Sequence, residues 1–174
     1  FVDEFNEADD WIELYNASSE PIDIGNLYVT DNLNAKLKHL ILPGAGKTQI
    51  APNQYKILWA DKQVGQGPWH LNFKLSADEE AVGIYQQIGG DVFKLDEVAF
   101  QDQYAGVTFS RIPNGNGPFI NTSQPTPGES NIFEVIAGIE NDFGGVDIFP
   151  NPAEEIVYVK ASTPLPKILV YNSV

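Results

Sequence analysis

Cysteine does not occur in this sequence. Its absence removes disulfide frameworks, thiol nucleophiles and cysteine-bound zinc. It leaves secretion open, because a large β-domain can hold together by core burial. Histidine is nearly as scarce: His39 and His70 are the only imidazoles, so a zinc site would need carboxylates to complete its tetrahedron. No apolar run approaches the roughly 20 residues of a membrane-spanning helix, so membrane insertion is not expected. Helical hydrophobic periodicity is missing over any useful length. Positive charge is also in short supply, since ten Lys and Arg face 24 Asp and Glu for a formal net charge of -14. Such a surface repels phosphate backbones and anionic lipid, so nucleic acid is not an expected partner. It suits solubility, cationic partners or divalent metals. The chain opens at Phe1 with neither a methionine nor a signal-peptide pattern, which reads as a processed or trimmed piece of something longer.

What is present is alternation broken by turns. The 174 residues are 43% hydrophobic and 20% charged, values of a folded chain with room for one full domain and a fragment of another. Fifteen Gly and twelve Pro are spread along it, which favours short strands over long helices. In "DWIELYN", Ile12 and Leu14 fall on one face, with Trp11, Glu13 and Tyr15 on the other. "NLYVTD", "KHLIL", "YKILWAD", "EAVGIYQ", "KLDEVAFQ" and "GVTFSRIP" continue the series. Turn signals arrive about every ten residues, the spacing of an all-β sandwich or barrel. The fold expected is an antiparallel β-sandwich. "IPNGNGPFINTSQPTPGESN" reads as a terminal arm leaving that domain. Residues 1–131 are therefore expected to form the sandwich and 132–145 a linker. Residues 146–174 are expected to form a small, truncated β segment, because three short strands rarely bury enough surface alone.

Two family resemblances rest on these stretches. "DDWIELYNASSEPIDIGNLYVTD", "IAPNQYKILWAD", "HLNFKLSADEEAVGIY", "LDEVAFQDQYAGVTFSRIPNG" and "QPTPGESN", in that order, resemble the lamin tail domain in its secreted bacterial form. The likeness runs over residues 3–131 and implies an immunoglobulin-like sandwich without an active site, often appended to surface or secreted proteins. Bacterial relatives commonly carry another strand ahead of "DEFNEADD", where this chain has Phe1 and Val2; an open sheet edge is the expectation. "VDIFPNPAEEIVYVKAS" and "KILVYNS" resemble the start of the C-terminal sorting domain of type IX secretion. Its motif is carried by Pro150, Asn151 and Pro152 after the apolar Val146-Asp147-Ile148-Phe149 run. Each proline ends a strand by removing an N–H and fixing φ, and the asparagine suits a tight turn. That resemblance implies recognition by the type IX machinery and release or anchoring outside a Gram-negative cell.

Candidate sites follow from the remaining side chains. Asp3, Glu4, Glu7, Asp9, Asp10 and Glu13 crowd the first strand's entrance. Calcium takes six to eight oxygens, and Glu7, Asp9 and Asp10 are the ligands nominated, although no EF-hand spacing occurs. The competing reading is a strand entrance kept soluble by charge, and it applies equally to Asp78, Glu79 and Glu80. His70 is placed to meet Asp61 across a hairpin in a pair that orients a loop. Ser76 and Ser110 lie outside any G-x-S-x-G turn, and "PGAGKT" lacks phosphate-loop spacing; enzyme activity is not expected. Trp11, Trp59, Trp69, Tyr85 and Tyr104 are the aromatics that a sugar would stack on. Trp59 is assigned to the core. Trp69, after "GQGP", and Tyr104, in "QDQYAG", are expected to be exposed ligand contacts for an extracellular protein or glycan.

Overall fold

The computed structural model describes residues 1–44, 47–77 and 80–131, together with the backbone of two strands beyond them. Ten strands form the first unit: β1 (Trp11–Tyr15), β2 (Ile22–Asp23), β3 (Leu27–Thr30), β4 (His39–Leu40), β5 (Gln49–Ile50), β6 (Tyr55–Trp59), β7 (Glu80–Ile88), β8 (Asp91–Phe100), β9 (Thr108–Arg111) and β10 (Phe119–Thr122). A further pair, β11 (Val146–Phe149) and β12 (Tyr158–Ala161), forms an antiparallel hairpin in the second unit, Glu134–Val174. The first unit runs from Phe1 to Phe133. No helix occurs among the described residues. The 132–145 linker and the Pro150-Asn151-Pro152 motif lie outside the described residues.

Every strand pairing is antiparallel. The main sheet has the order β4-β3-β7-β8, and β1 pairs with β6. Alternation places the core between them. Leu27 and Val29 of β3, Leu58 of β6 and Ile50 of β5 meet Ile24, Ile41, Leu71 and Phe73 from connecting segments. Ile12 and Leu14 pack onto this cluster, as their period-2 spacing requires. The fold is an immunoglobulin-like β-sandwich packed about this cluster.

The outer face of β1 is covered too. Phe1 stacks on Trp59 at 5.1 Å between ring centroids and meets Trp11 edge-on at 5.7 Å. Tyr15 packs beside its register partner Tyr55 at 5.0 Å. Glu13 accepts a hydrogen bond from the Gly128 amide at 2.7 Å; burial pushes its carboxyl pKa up, against the lowering effect of that bond.

The expected terminal arm is therefore a correction. The segment supplies β10, which pairs with β9, and then folds back along β1. Phe119 stacks on Phe109 at 5.3 Å under the Arg111 guanidinium, 4.2 Å from the ring. Asn131 closes the return through the Asn114 side chain and the Arg111 carbonyl. Its Pro, Gly and Asn residues bend the chain without releasing it. Two strands went unread for the opposite reason: β2 and β5 have two residues each, too few to show a period. They pair with each other, and the buried Asn16 amide donates to the Ile50 carbonyl of β5 and to the Glu20 carbonyl just ahead of β2.

On the other face of β7, Tyr85 is fully buried. Lys36 sits 5.5 Å from its ring centroid, and its hydroxyl donates to Glu97 at 2.7 Å. Burial, then that hydrogen bond, pushes the phenol pKa up to about 12. The ring lies over Gly83, where a Cβ would stand 2.6 Å from Tyr85 Cε2 and 3.1 Å from Leu33 Cδ2. This close approach explains a glycine inside a strand. Gly83→Ala is accordingly expected to lower the unfolding free energy by about 1–3 kcal/mol through overpacking. A urea midpoint equal to wild type would show that the ring moves aside freely.

Candidate functional site

The acidic N-terminal segment folds as a turn around Asp3. Asp3 Oδ1 accepts the backbone N–H groups of Phe5 at 2.9 Å and Glu7 at 2.8 Å. The Asp3 amide donates to the Glu7 carbonyl at 3.0 Å. Asn6 takes a positive φ of 65°, a conformation that asparagine tolerates better than most residues.

This turn closes onto a loop from the far side of β6. Past Trp59 the chain remains tied to itself: the Trp59 amide donates to the Trp69 carbonyl, and the Leu71 amide to the Trp59 carbonyl, each at 2.7 Å. That doubling back sets Asp61 against His70. Asp61 Oδ1 accepts the Gln63 amide at 2.8 Å, while Oδ2 meets His70 Nδ1 at 2.5 Å. Both side chains are fully buried. His70 Nε2 faces Glu4 Oε1 at 3.4 Å, and the Phe5 ring stands edge-on to the imidazole at 5.9 Å. Glu7 Oε2 accepts from Gln63 Nε2 at 2.8 Å and Gln66 Nε2 at 2.9 Å. Burial acts to lower the His70 pKa, but the hydrogen bonds and charges of Asp61 and Glu4 outweigh it, and the net shift is upward.

Two overlapping ligand-like groups result, each with atoms within 4.8 Å of one another: Asp3, Asp61 and His70; and Asp3, Glu7 and Asp9. Of the nominated metal ligands, the structure brings Glu7 and Asp9 together and leaves Asp10 out of both groups. Asp3 takes that corner. Asp10 follows directly into β1, and its pKa is raised by burial and by Asp9, with Lys74 opposing. The expected His70–Asp61 pair forms. Spacing alone gave no sign that it would join an acidic segment more than fifty positions upstream. Both ring nitrogens of His70 face carboxylates, so neither is free to take a proton from a serine. Ser110 hydrogen-bonds to Thr108 instead.

The aromatic nominations divide. Tyr104 is 69% exposed in its loop. Trp69, expected to be exposed, is half-buried against the core, and Lys56 Nζ occupies one face at 4.3 Å from the ring centroid. The reason is the backbone exchange with Trp59, which draws "GPWHL" along β6. Trp59 is buried as expected, 5% exposed, on the face that Phe1 covers. Tyr85, also named as a stacking surface, is inaccessible.

Compared with known proteins, the chain matches the family model for the Lamin Tail Domain over residues 1–102. No curated protein and no solved structure matches it. The matched span ends just after β8; β9, β10 and the return along β1 complete the same unit beyond it. Immunoglobulin-like modules of this kind are generally noncatalytic. With more than half of its length matched and an antiparallel immunoglobulin-like sandwich observed, the chain belongs to the lamin tail domain family.

Proposed function

We propose that this chain is a noncatalytic module working outside a Gram-negative cell, as a spacer, adhesion or protein-interaction element exported by type IX secretion. The observation that carries the reading is a lamin tail sandwich bearing a net charge of -14. That charge opposes the chromatin association of eukaryotic members, since phosphate backbones are repelled. A protein partner is favoured over a glycan, because Lys56 occupies one face of Trp69 and the residue packs against the core, whereas Ile88, Phe93 and Leu95 stand about half exposed on the β7–β8 hairpin. Apolar side chains grouped on a projecting edge suit protein contact. Export rests on the resemblance of residues 143–174 to a sorting domain.

The test is to tag the gene product carrying this chain in its own bacterium and fractionate the cells. Signal at the surface or in the medium, lost when Pro150, Asn151 and Pro152 are all changed to alanine, is the expected result. Signal retained in the periplasm with the motif intact would overturn the type IX assignment and leave residues 146–174 as a second structural segment.

A further inference from the structure

Asp3 is 92% buried by its 8% exposure, yet its Oδ2 atom is buried without a hydrogen-bond partner. Oδ1 is already occupied by the Phe5 and Glu7 amides. A buried carboxylate oxygen left without a donor carries a substantial desolvation cost, and a bound cation is one way to offset it. Gln66 Oε1 is also buried without a partner, while the Nε2 of the same amide is hydrogen-bonded to Glu7. Both orphaned oxygens belong to side chains next to Glu7: Asp3 shares a ligand-like group with it, and Gln66 hydrogen-bonds to it through Nε2.

We propose that Asp3, Glu7 and Asp9, with the Gln66 side-chain carbonyl, form a divalent-cation site that takes calcium. The donor atoms left uncommitted are all oxygens, the chemistry that hard cations select. His70 does not join them as a nitrogen ligand, because Nδ1 and Nε2 face Asp61 and Glu4; it stands behind the site and holds the loop. Two counter-charges lie near these carboxylates: Lys74, 3.7 Å from Asp9 and more than half exposed, which neutralises little, and His70 when protonated, whose charge is shared with Asp61 and Glu4. Three carboxylates and one carbonyl leave the remaining calcium positions to water, which places affinity in the weak range of extracellular modules, roughly 10⁻⁴ to 10⁻³ M. Bound there, the ion would clamp the N-terminal turn to the 61–70 loop. This inference is independent of the export route.

The experiment titrates calcium chloride into the chelator-stripped full chain by calorimetry and follows thermal unfolding with and without about 5 mM calcium. Saturable binding and a rise of several degrees in the unfolding temperature are expected. Asp3→Asn retains the Oδ1 acceptor for the turn amides, so it should fold and bind calcium at least about tenfold more weakly. Glu7→Gln should do the same and carries the test if Asp3→Asn unfolds. Asp91→Asn, on the distant β7–β8 hairpin, should bind like wild type. Absence of saturable binding by wild type, or equal affinity in Asp3→Asn and Glu7→Gln, overturns the proposal. Equal weakening in Asp91→Asn would do so too, because binding would then follow net charge alone.

Discussion

Replacing Phe73 by alanine should lower the unfolding free energy by about 3–5 kcal/mol and the unfolding temperature by roughly 10–20 °C. Phe73 is 1% exposed and belongs to the cluster that includes Val29, Leu58 and Leu71. Truncation removes the transfer free energy of a phenyl group and leaves a cavity that a sheet-bounded core can collapse into only partly. Lys38 adds to the loss, since its ammonium lies 5.1 Å from the ring centroid while also paired with Asp31. Phe93→Ala provides the contrast. Phe93 is 50% exposed on β8, and its truncation should change stability by no more than about 0.5 kcal/mol. Denaturant midpoints for the two variants check the prediction; equal losses would mean that the core does not lie where these burials put it.

Asp61→Asn is the second large effect. Asparagine keeps the Oδ1 acceptor for the Gln63 amide and removes only the charge facing His70. Deleting one partner of a buried pair costs about 3–5 kcal/mol, because the other is left buried and uncompensated. The pH dependence identifies the cause. The folded-state pKa of His70 is raised, so in the window above about 6.5, the usual histidine value, the folded chain holds a proton that the unfolded chain has released. The unfolded state binds fewer protons there, and stability falls as pH rises. The contribution is complete below about pH 6.5 and disappears as pH passes through the raised folded value. Wild-type unfolding temperature should therefore decline from pH 6 toward pH 9, with His70→Gln and Asp61→Asn both flatter and lower at the acid end. A flat wild-type profile, or a His70→Gln variant as stable as wild type at about pH 6, would remove the charged pair from the account.

The pair and the candidate cation site share a mechanical role. Glu4 and Phe5 on one segment meet His70 on the other, and Glu7 is held by Gln63 and Gln66. The acidic rim is therefore more than a solvated shell at this corner, where Asp3 is buried. Elsewhere the bland reading of the acids stands: Asp10 leads into β1 and belongs to neither ligand-like group.

The class of the fold was legible along the chain because β structure with one buried face writes a period of two into the sequence, and Gly, Pro and Asn mark where it turns. Ile12, Leu14, Trp59 and the β7–β8 hairpin at Gly89 and Gly90 could be assigned on those local signals. The Asp61–His70 contact was also within reach, since nine positions separate its members across one loop. What stayed hidden required chain closure. Asp3 meets Asp61 and His70 only because β1 and β6 pair in register, and no pattern within a few residues encodes that pairing. The same closure turned an apparent terminal arm into β10 and a cover for β1, buried Tyr85 under the segment that follows β3, and drew Trp69 against the core. Local composition specifies how a segment bends and which of its faces is apolar; which distant segment lies against that face depends on the whole sandwich assembling at once.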